Sequence, residues 1–447
     1  MKNVCVFQII LFLLFVMCTN GTEYVSPEMF GALGDGINND AIAFNKCIKS
    51  GKTIKLQAGK TYKFDTPLNA INHESFRIEG NGAKIVISRD YPVTSAMAIF
   101  VFSMDVNPKL MEIKQVDFIC LLEEKKVENA GDTYLFLSKK CDKVIFENLK
   151  FKAEKKFSNL TFFRSEGGDL FMDNCNIILN THSKVGGIFW LMNKSHEKSK
   201  IEIQNSSFEY ETKDECMCFA TDKHCSLSHS DIDVTIKNCT FKTLASMNSS
   251  GFIIVYSRCV NTVSNINVKY KKCLFESSGS SPRYIQTYQC GVEEYDFGSF
   301  NTFFYDCVFN FSKNTLDDFS EGGLVGLVYD NFNKMEKNKV GYVFNNCTFK
   351  LNNIFPIVGD KDACRKGYFR FSNCTITSNC RAFQKKYNVK NSNISLEMNR
   401  CKIMSKDDEL TYKHLVVNSC IFYDINGRKR SIKKENRFDF NRIIIER

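Results

Sequence analysis

One phrase, repeated about ten times, constrains this chain more than anything else in it: apolar-x-apolar, two polar residues ending usually in Asn, then Cys-x-Phe or Cys-x-Ile. One copy reads Val234-Thr235-Ile236-Lys237-Asn238-Cys239-Thr240-Phe241, and another Tyr342-Val343-Phe344-Asn345-Asn346-Cys347-Thr348-Phe349. Other copies centre on Leu149, Cys175, Ser206, Cys273, Cys307, Cys374, Cys401 and Cys420. Successive centres lie 26, 31, 33, 34, 34, 40, 27, 27 and 19 residues apart. Self-similarity on this scale specifies a solenoid.

Counting from the Cys of each copy, apolar side chains fall at −5, −3, 0 and +2, as in Phe369, Phe371, Cys374 and Ile376. Alternation with period two marks a strand with one buried face. The three-residue step from −3 to 0 would turn the next strand inside out, so the chain must bend between them. Asn occupies −1 at 148, 174, 205, 238, 346 and 373, and Asn tolerates the left-handed backbone that such a bend requires.

A third apolar run precedes each copy at variable distance, for example Gly187–Met192, Phe252–Tyr256, Leu324–Tyr329 and Ile354–Val358. Three short strands per coil, one fixed bend and two variable loops predict an all-β, single-stranded parallel β-helix. About ten coils at about 4.8 Å each give a rod on the order of 50 Å long. A sandwich or propeller would need antiparallel hairpins with two-residue Gly turns, which are scarce here.

Length sets no obstacle to a single unit, because each coil of a solenoid packs only on its neighbours. Residues 1–21 read as a secretion signal, with Lys2, an apolar stretch from Val4 to Met17, and small residues Thr19 and Gly21. Cys18 is a weaker candidate for lipid attachment, since Phe15-Val16-Met17 before it is bulky. The apolar stretch is short for a membrane span, and no second one follows, so no transmembrane segment is expected. The remaining divisions are a cap with the first coils over 22–90, coils over 91–427, and a basic segment over 428–447.

The chain has 20 Cys, which in a secreted protein would suggest a disulfide scaffold. Eight of them, however, occupy the repeat position that Ser206 and Leu149 also fill, so a small buried side chain is what that position asks for. Cys225, Cys259 and Cys290 close consecutive third strands and could pair. The net charge of +10, partly in Arg428-Lys429-Arg430 and Lys433-Lys434, suits an acidic polysaccharide or cell-surface glycan better than nucleic acid. It reads equally as a solvated tail.

Ahead of the coils runs Met29-Phe30-Gly31-Ala32-Leu33-Gly34-Asp35-Gly36, then a helix opened by Asn39 or Asp40, carrying Ala41, Phe44 and Ile48 on one face and ended by Gly51. Strands with Gly-bearing turns follow, Thr53–Leu56 and Phe76–Gly80 among them. Over residues 28–85 this segment resembles the N-terminal signature of the pectate-lyase-like superfamily, in its rhamnogalacturonase/epimerase-like branch. The resemblance implies a right-handed parallel β-helix, a fold seen in polysaccharide lyases, glycoside hydrolases, uronate epimerases and phage tailspikes, with Asp35 and Asp40 as structural residues.

It also implies a carbohydrate groove over the third sheet. A polar column closes those strands at Asn193, Asp222, Arg258, Gln289, Asp330 and Asp360. Asp330 and Asp360 on neighbouring coils could serve as the acid and base or nucleophile of glycoside hydrolysis. Asp222 beside Arg258 would suit a lyase, in which a cation neutralises the uronate and a base removes the proton alpha to it. Trp190, Tyr256, Tyr288 and Tyr329 could stack on sugar rings, whereas the bland reading makes the column a solvated strand end.

The hydrolase branch's Asn-Thr-Asp, Asp-Asp, Gly-His-Gly and Arg-Ile-Lys motifs are not present intact, which argues against ordinary polygalacturonase activity. A lyase would call for calcium, yet no clear calcium loop is present. Asp231 and Asp233, two apart on one strand, read as a solvated face. Cys216, Cys218, His224, Cys225 and His229 match no strong zinc spacing, so no metal site is assigned. Triplets such as Asn238-Cys239-Thr240 read as buried ladder residues rather than glycan acceptors. The expectation is a secreted β-helix acting on a polysaccharide as lyase or hydrolase; the alternative is a non-catalytic glycan- or surface-binding β-helix, an adhesin or tailspike-like module.

Overall fold

The computed structural model describes residues 23–92, 97–102, 106–122, 133–138, 141–154, 160–165, 167–180, 189–193, 198–211, 217–221, 231–243, 250–257, 265–278, 283–289, 300–312, 325–329, 340–352, 366–380, 382–383, 393–407, 409–410, 414–431 and 433–434. Within them the chain winds as a parallel β-helix. The strand before each bend pairs in parallel with its equivalent one coil on, as Ile232–Lys237 does with Ile266–Lys271. The strand after the bend does the same, Thr240–Thr243 against Leu274–Ser278. A separate eight-stranded sheet holds the third strands, Met97–Val101 at one end and Val325–Tyr329 at the other.

The bends number twelve among the described residues, not ten. Asn81, Gln115, Asn148, Asn174, Asn205, Asn238, Lys272, Asp306, Asn346, Asn373, Arg400 and Ser419 all hold φ between 50° and 56°. The two extra bends, at Asn81 and Gln115, are followed by Ala83 and Val116 in place of a thiol, which hid them from the Cys-centred phrase. Every bend residue is exposed, and from Asn148 to Arg400 each one's N–H donates to a carbonyl of the next coil, as Asn174 N to Gln204 O at 3.2 Å. Asn238 is therefore a surface residue; only the Cys239 after it is buried, which corrects the reading of that triplet.

In-register winding turns each apolar repeat position into a file. Phe208, Phe241, Phe275, Phe309 and Phe349 stack with ring centroids 4.6–5.1 Å apart and planes within 13°. Tyr270, Phe304, Phe344 and Phe371 form a second stack at 4.7–4.9 Å. These spacings match the strand spacing, so each ring covers the face of the one beneath. Burying one such ring contributes about 2–3 kcal/mol.

The cap behaves as expected. Helix α1 (Ala41–Ser50) buries Ala41, Ala43, Phe44, Cys47 and Ile48 and ends at Gly51, whose φ of 68° is left-handed. Phe44 meets Phe64 edge-on at 4.8 Å, so the helix lies over the first coil and covers its open edge. At the other end, Lys429–Arg430 turns back antiparallel on Ile421–Tyr423. No helix among the described residues is long and apolar enough to cross a membrane; residues 1–22, with the signal and Cys18, lie outside the described residues.

Candidate functional site

The bend imposes a surface feature as well as a core. Because each bend residue is left-handed and exposed while the repeat-position-0 side chain behind it turns inward, the outer side of the bend becomes a continuous trough. Asn81, Gln115, Asn148, Asn174, Asn205 and Asn238 line it from six consecutive coils, with Asp117, Lys150, Asn176, Ser207 and Thr240 beside them. Its volume is about 770 Å³, and five coil spacings make it about 24 Å long.

The lining is mostly amide and hydroxyl. Asn174 Nδ2 donates to Asn148 Oδ1 at 2.6 Å, Asn205 Nδ2 to Asp173 Oδ1 at 2.8 Å, and Asn238 Nδ2 to Asn205 Oδ1 at 3.1 Å. An amide has two N–H donors and two acceptor lone pairs, so these links orient each group while leaving hydrogen-bonding capacity for a ligand. Lys150 and Asp117 pair loosely at 3.7 Å. The arrangement can hold an extended polar chain by repeated hydrogen bonds; it does not bring two carboxylates together.

The candidates expected on the third sheet fall differently. Asp222, Arg258, Asp330 and Asp360 lie outside the described residues, as do the Cys225, Cys259 and Cys290 pairing and most of the suggested zinc cluster. The four aromatics lie on described strands. Tyr256 and Tyr288 are register partners on adjacent coils, Trp190 pairs with Arg164 and Cys218, and Tyr329 stands opposite Gln289 rather than Tyr288.

Other acidic candidates are structural. Asp40 is buried, its Oδ1 accepting from Leu33 N at 2.9 Å and its Oδ2 from Lys63 N at 3.3 Å. Asp35 accepts from the N–H groups of Asn38 and Ile37 and from the Asn38 side chain, which hold its carboxyl down at about 2. For Asp233, burial works to raise the pKa, but hydrogen bonds from Lys198 at 2.5 Å and Asn267 at 3.3 Å outweigh it and the net shift is downward. Asp231 accepts from Asn265 N at 2.9 Å. Among the described residues no group of three or more His, Cys, Asp or Glu is placed to hold a metal.

Asn148, Asn174, Asn205 and Asn238 of the trough were visible in the sequence as the recurring Asn, read there only as a backbone requirement. That a left-handed corner also presents its side chain to solvent was the available signal.

No family model matches the sequence, and no curated protein does. Among solved structures, the surface adhesin PfbA of Streptococcus pneumoniae is 11% identical, over 90% of this chain and 93% of its own, with a TM-score of 0.35. The A-module of the Azotobacter vinelandii mannuronan C-5 epimerase AlgE6 is 10% identical over 89% and 99%, with a TM-score of 0.36. A bacteriophage Phi29 gene product 12 fragment is 12% identical, with coverages of 97% and 99% and a TM-score of 0.19. Likeness at this level decides nothing about activity. The parallel β-helix rests on this chain's own strand register.

Proposed function

We propose that this protein is a secreted, polysaccharide-directed β-helix that binds its ligand along the bend trough. One observation carries the reading: hydrogen-bonding amides recur on six successive coils of an open groove. Small-molecule pockets are enclosed and mostly apolar. A periodic polar track instead suits a periodic, polyhydroxylated chain. The apolar N-terminal stretch supports export, and the net charge of +10 favours an acidic glycan.

The test is retention of pectin, alginate, rhamnogalacturonan and glycosaminoglycans by the wild type and by an Asn174→Gly/Asn205→Gly/Asn238→Gly variant. Gly accepts the left-handed corner, so the fold persists while three amides go. A tenfold or greater loss of affinity, about 1.4 kcal/mol, is expected; undiminished binding by the variant would overturn the assignment of the trough.

A second reading, lyase or hydrolase, is favoured by the register of Tyr256 with Tyr288, which places two aromatics on adjacent coils of the third sheet. In it Asp330 and Asp360, or Asp222 with Arg258, act on the sugar, and calcium would assist a lyase. Unsaturated-uronate absorbance or new reducing ends in the same incubations would select this reading, with Tyr256 and Tyr288 to Ala variants locating the site.

A further inference from the structure

Packing alone does not account for the thiols at repeat position 0. Ala83, Val116, Leu149 and Ser206 fill the same internal file and are buried there as its Cys are. Beyond Ser206 the file nevertheless becomes an unbroken run of Cys239, Cys273, Cys307, Cys347, Cys374, Cys401 and Cys420. Register shows that they are true neighbours. Lys237 and Thr240, flanking Cys239, pair with Lys271 and Leu274, flanking Cys273, and every later step repeats this.

The sulfurs share one side-chain orientation. Each approaches the carbonyl two residues back, at 3.1 Å for Cys239, 3.4 Å for Cys273 and 3.3 Å for Cys307, and at 3.3–3.4 Å for Cys347, Cys374, Cys401 and Cys420. Identical orientation on stacked coils makes the sulfur spacing follow the coil spacing, about 4.8 Å.

We propose that this run is a binding site for thiophilic, two-coordinate cations of the copper(I) class. With the zinc–thiolate bond of about 2.3 Å as the scale for a soft metal–sulfur bond, two such bonds in a line span about 4.6 Å, close to the spacing already present. A disulfide instead needs Cβ atoms about 3.8 Å apart, so two coils would have to pinch by about 1 Å. The backbone resists that, since Leu274 N to Cys239 O and Val308 N to Cys273 O are both held at 2.9 Å. All seven thiols are free. Metals wanting three or four ligands find no convergent set in such a file, whereas soft two-coordinate cations prefer thiolate.

Binding is balanced in charge. One S–H bond breaks and its proton leaves to solvent; the cation then bonds to that thiolate and to the neighbouring thiol sulfur. Nothing is oxidised or reduced, and the buried pair stays neutral, which avoids the cost of an uncompensated internal charge. Cys420, half-buried where the other six are buried, is the end of the run nearest solvent.

Seven thiols in non-overlapping pairs accommodate about three cations. The experiment loads the reduced full chain with silver(I), a redox-inert probe, desalts it against excess glutathione and counts retained metal. The Cys273→Val/Cys347→Val/Cys401→Val variant leaves no two adjacent thiols, and Val is already native to the file at 116. A version with Ser at the same three positions, as the file already has at Ser206, covers any folding failure of the first. A Cys47→Ala/Cys120→Val/Cys141→Val control removes as many buried thiols elsewhere. Wild type and control should retain about three more silver ions per chain than either run variant, with a two-sulfur shell in X-ray absorption. Equal retention by run variants and wild type would overturn the proposal. So would thiol titration in denaturant without reductant showing the run already disulfide-bonded.

Discussion

The carboxylate of Asp407 accepts a hydrogen bond from the backbone N–H of Ala382, one coil earlier, at 2.7 Å, and a second from Phe383 N at 3.1 Å. Ser405 Oγ adds a third at 2.8 Å, and the carboxylate is wholly buried. One side chain therefore satisfies the buried N–H groups of Ala382 and Phe383, and the Phe383 ring packs inward, edge-on to Phe371.

Asp407→Ala should cost about 3 kcal/mol or more, because it strands two buried N–H groups as well as losing charged hydrogen bonds. Asp407→Asn keeps an acceptor and should cost less. Urea unfolding followed by circular dichroism measures both; equal effects would show that a neutral amide acceptor cannot stand in for the carboxylate.

Tyr270 should be improved by Phe. Its ring stacks on Phe304 at 4.9 Å, yet its hydroxyl is buried with no hydrogen-bond partner among the described residues. Tyr270→Phe removes an unsatisfied polar group and retains the stack, so a gain of about 1 kcal/mol is expected. A clear loss in the same unfolding assay would mean that the hydroxyl has a partner.

Asn205 separates backbone strain from side-chain loss. With φ at 51°, Asn205→Ala should destabilise by about 1–2 kcal/mol and Asn205→Gly by no more than a few tenths. Thermal unfolding of the pair reads the difference directly, and equal losses would assign the cost to the side chain's contacts instead.

Acid should loosen the cap through Asp35. Its folded value of about 2 lies below the ordinary 3.8, so its contribution is complete above about pH 5 and is lost as pH falls through about 2. Between pH 5 and 2 the wild type should lose more thermal stability than an Asp35→Asn variant. Parallel pH profiles would show that the 35–38 turn does not feel this carboxylate.

Much of the architecture was legible because it is periodic. The −5, −3, 0, +2 pattern specified two strands and a corner, and Asn at −1 marked where the corner lay. Asn81 and Gln115 escaped because the phrase was anchored on Cys, whereas the physical requirement at position 0 is only a small or medium apolar side chain. Asp407 was illegible for the opposite reason: it caps a single irregular bend, and an unrepeated feature leaves no pattern.

The chain's own order of residues decided that it coils, where it turns and which side chains share a file, since side-chain alternation and left-handed tolerance are local properties. What only winding could decide was which chemistry those files and corners hold. Residues 19 to 40 apart come within a strand spacing when the coils stack, and that contact turns isolated amides into a track and isolated thiols into a continuous run.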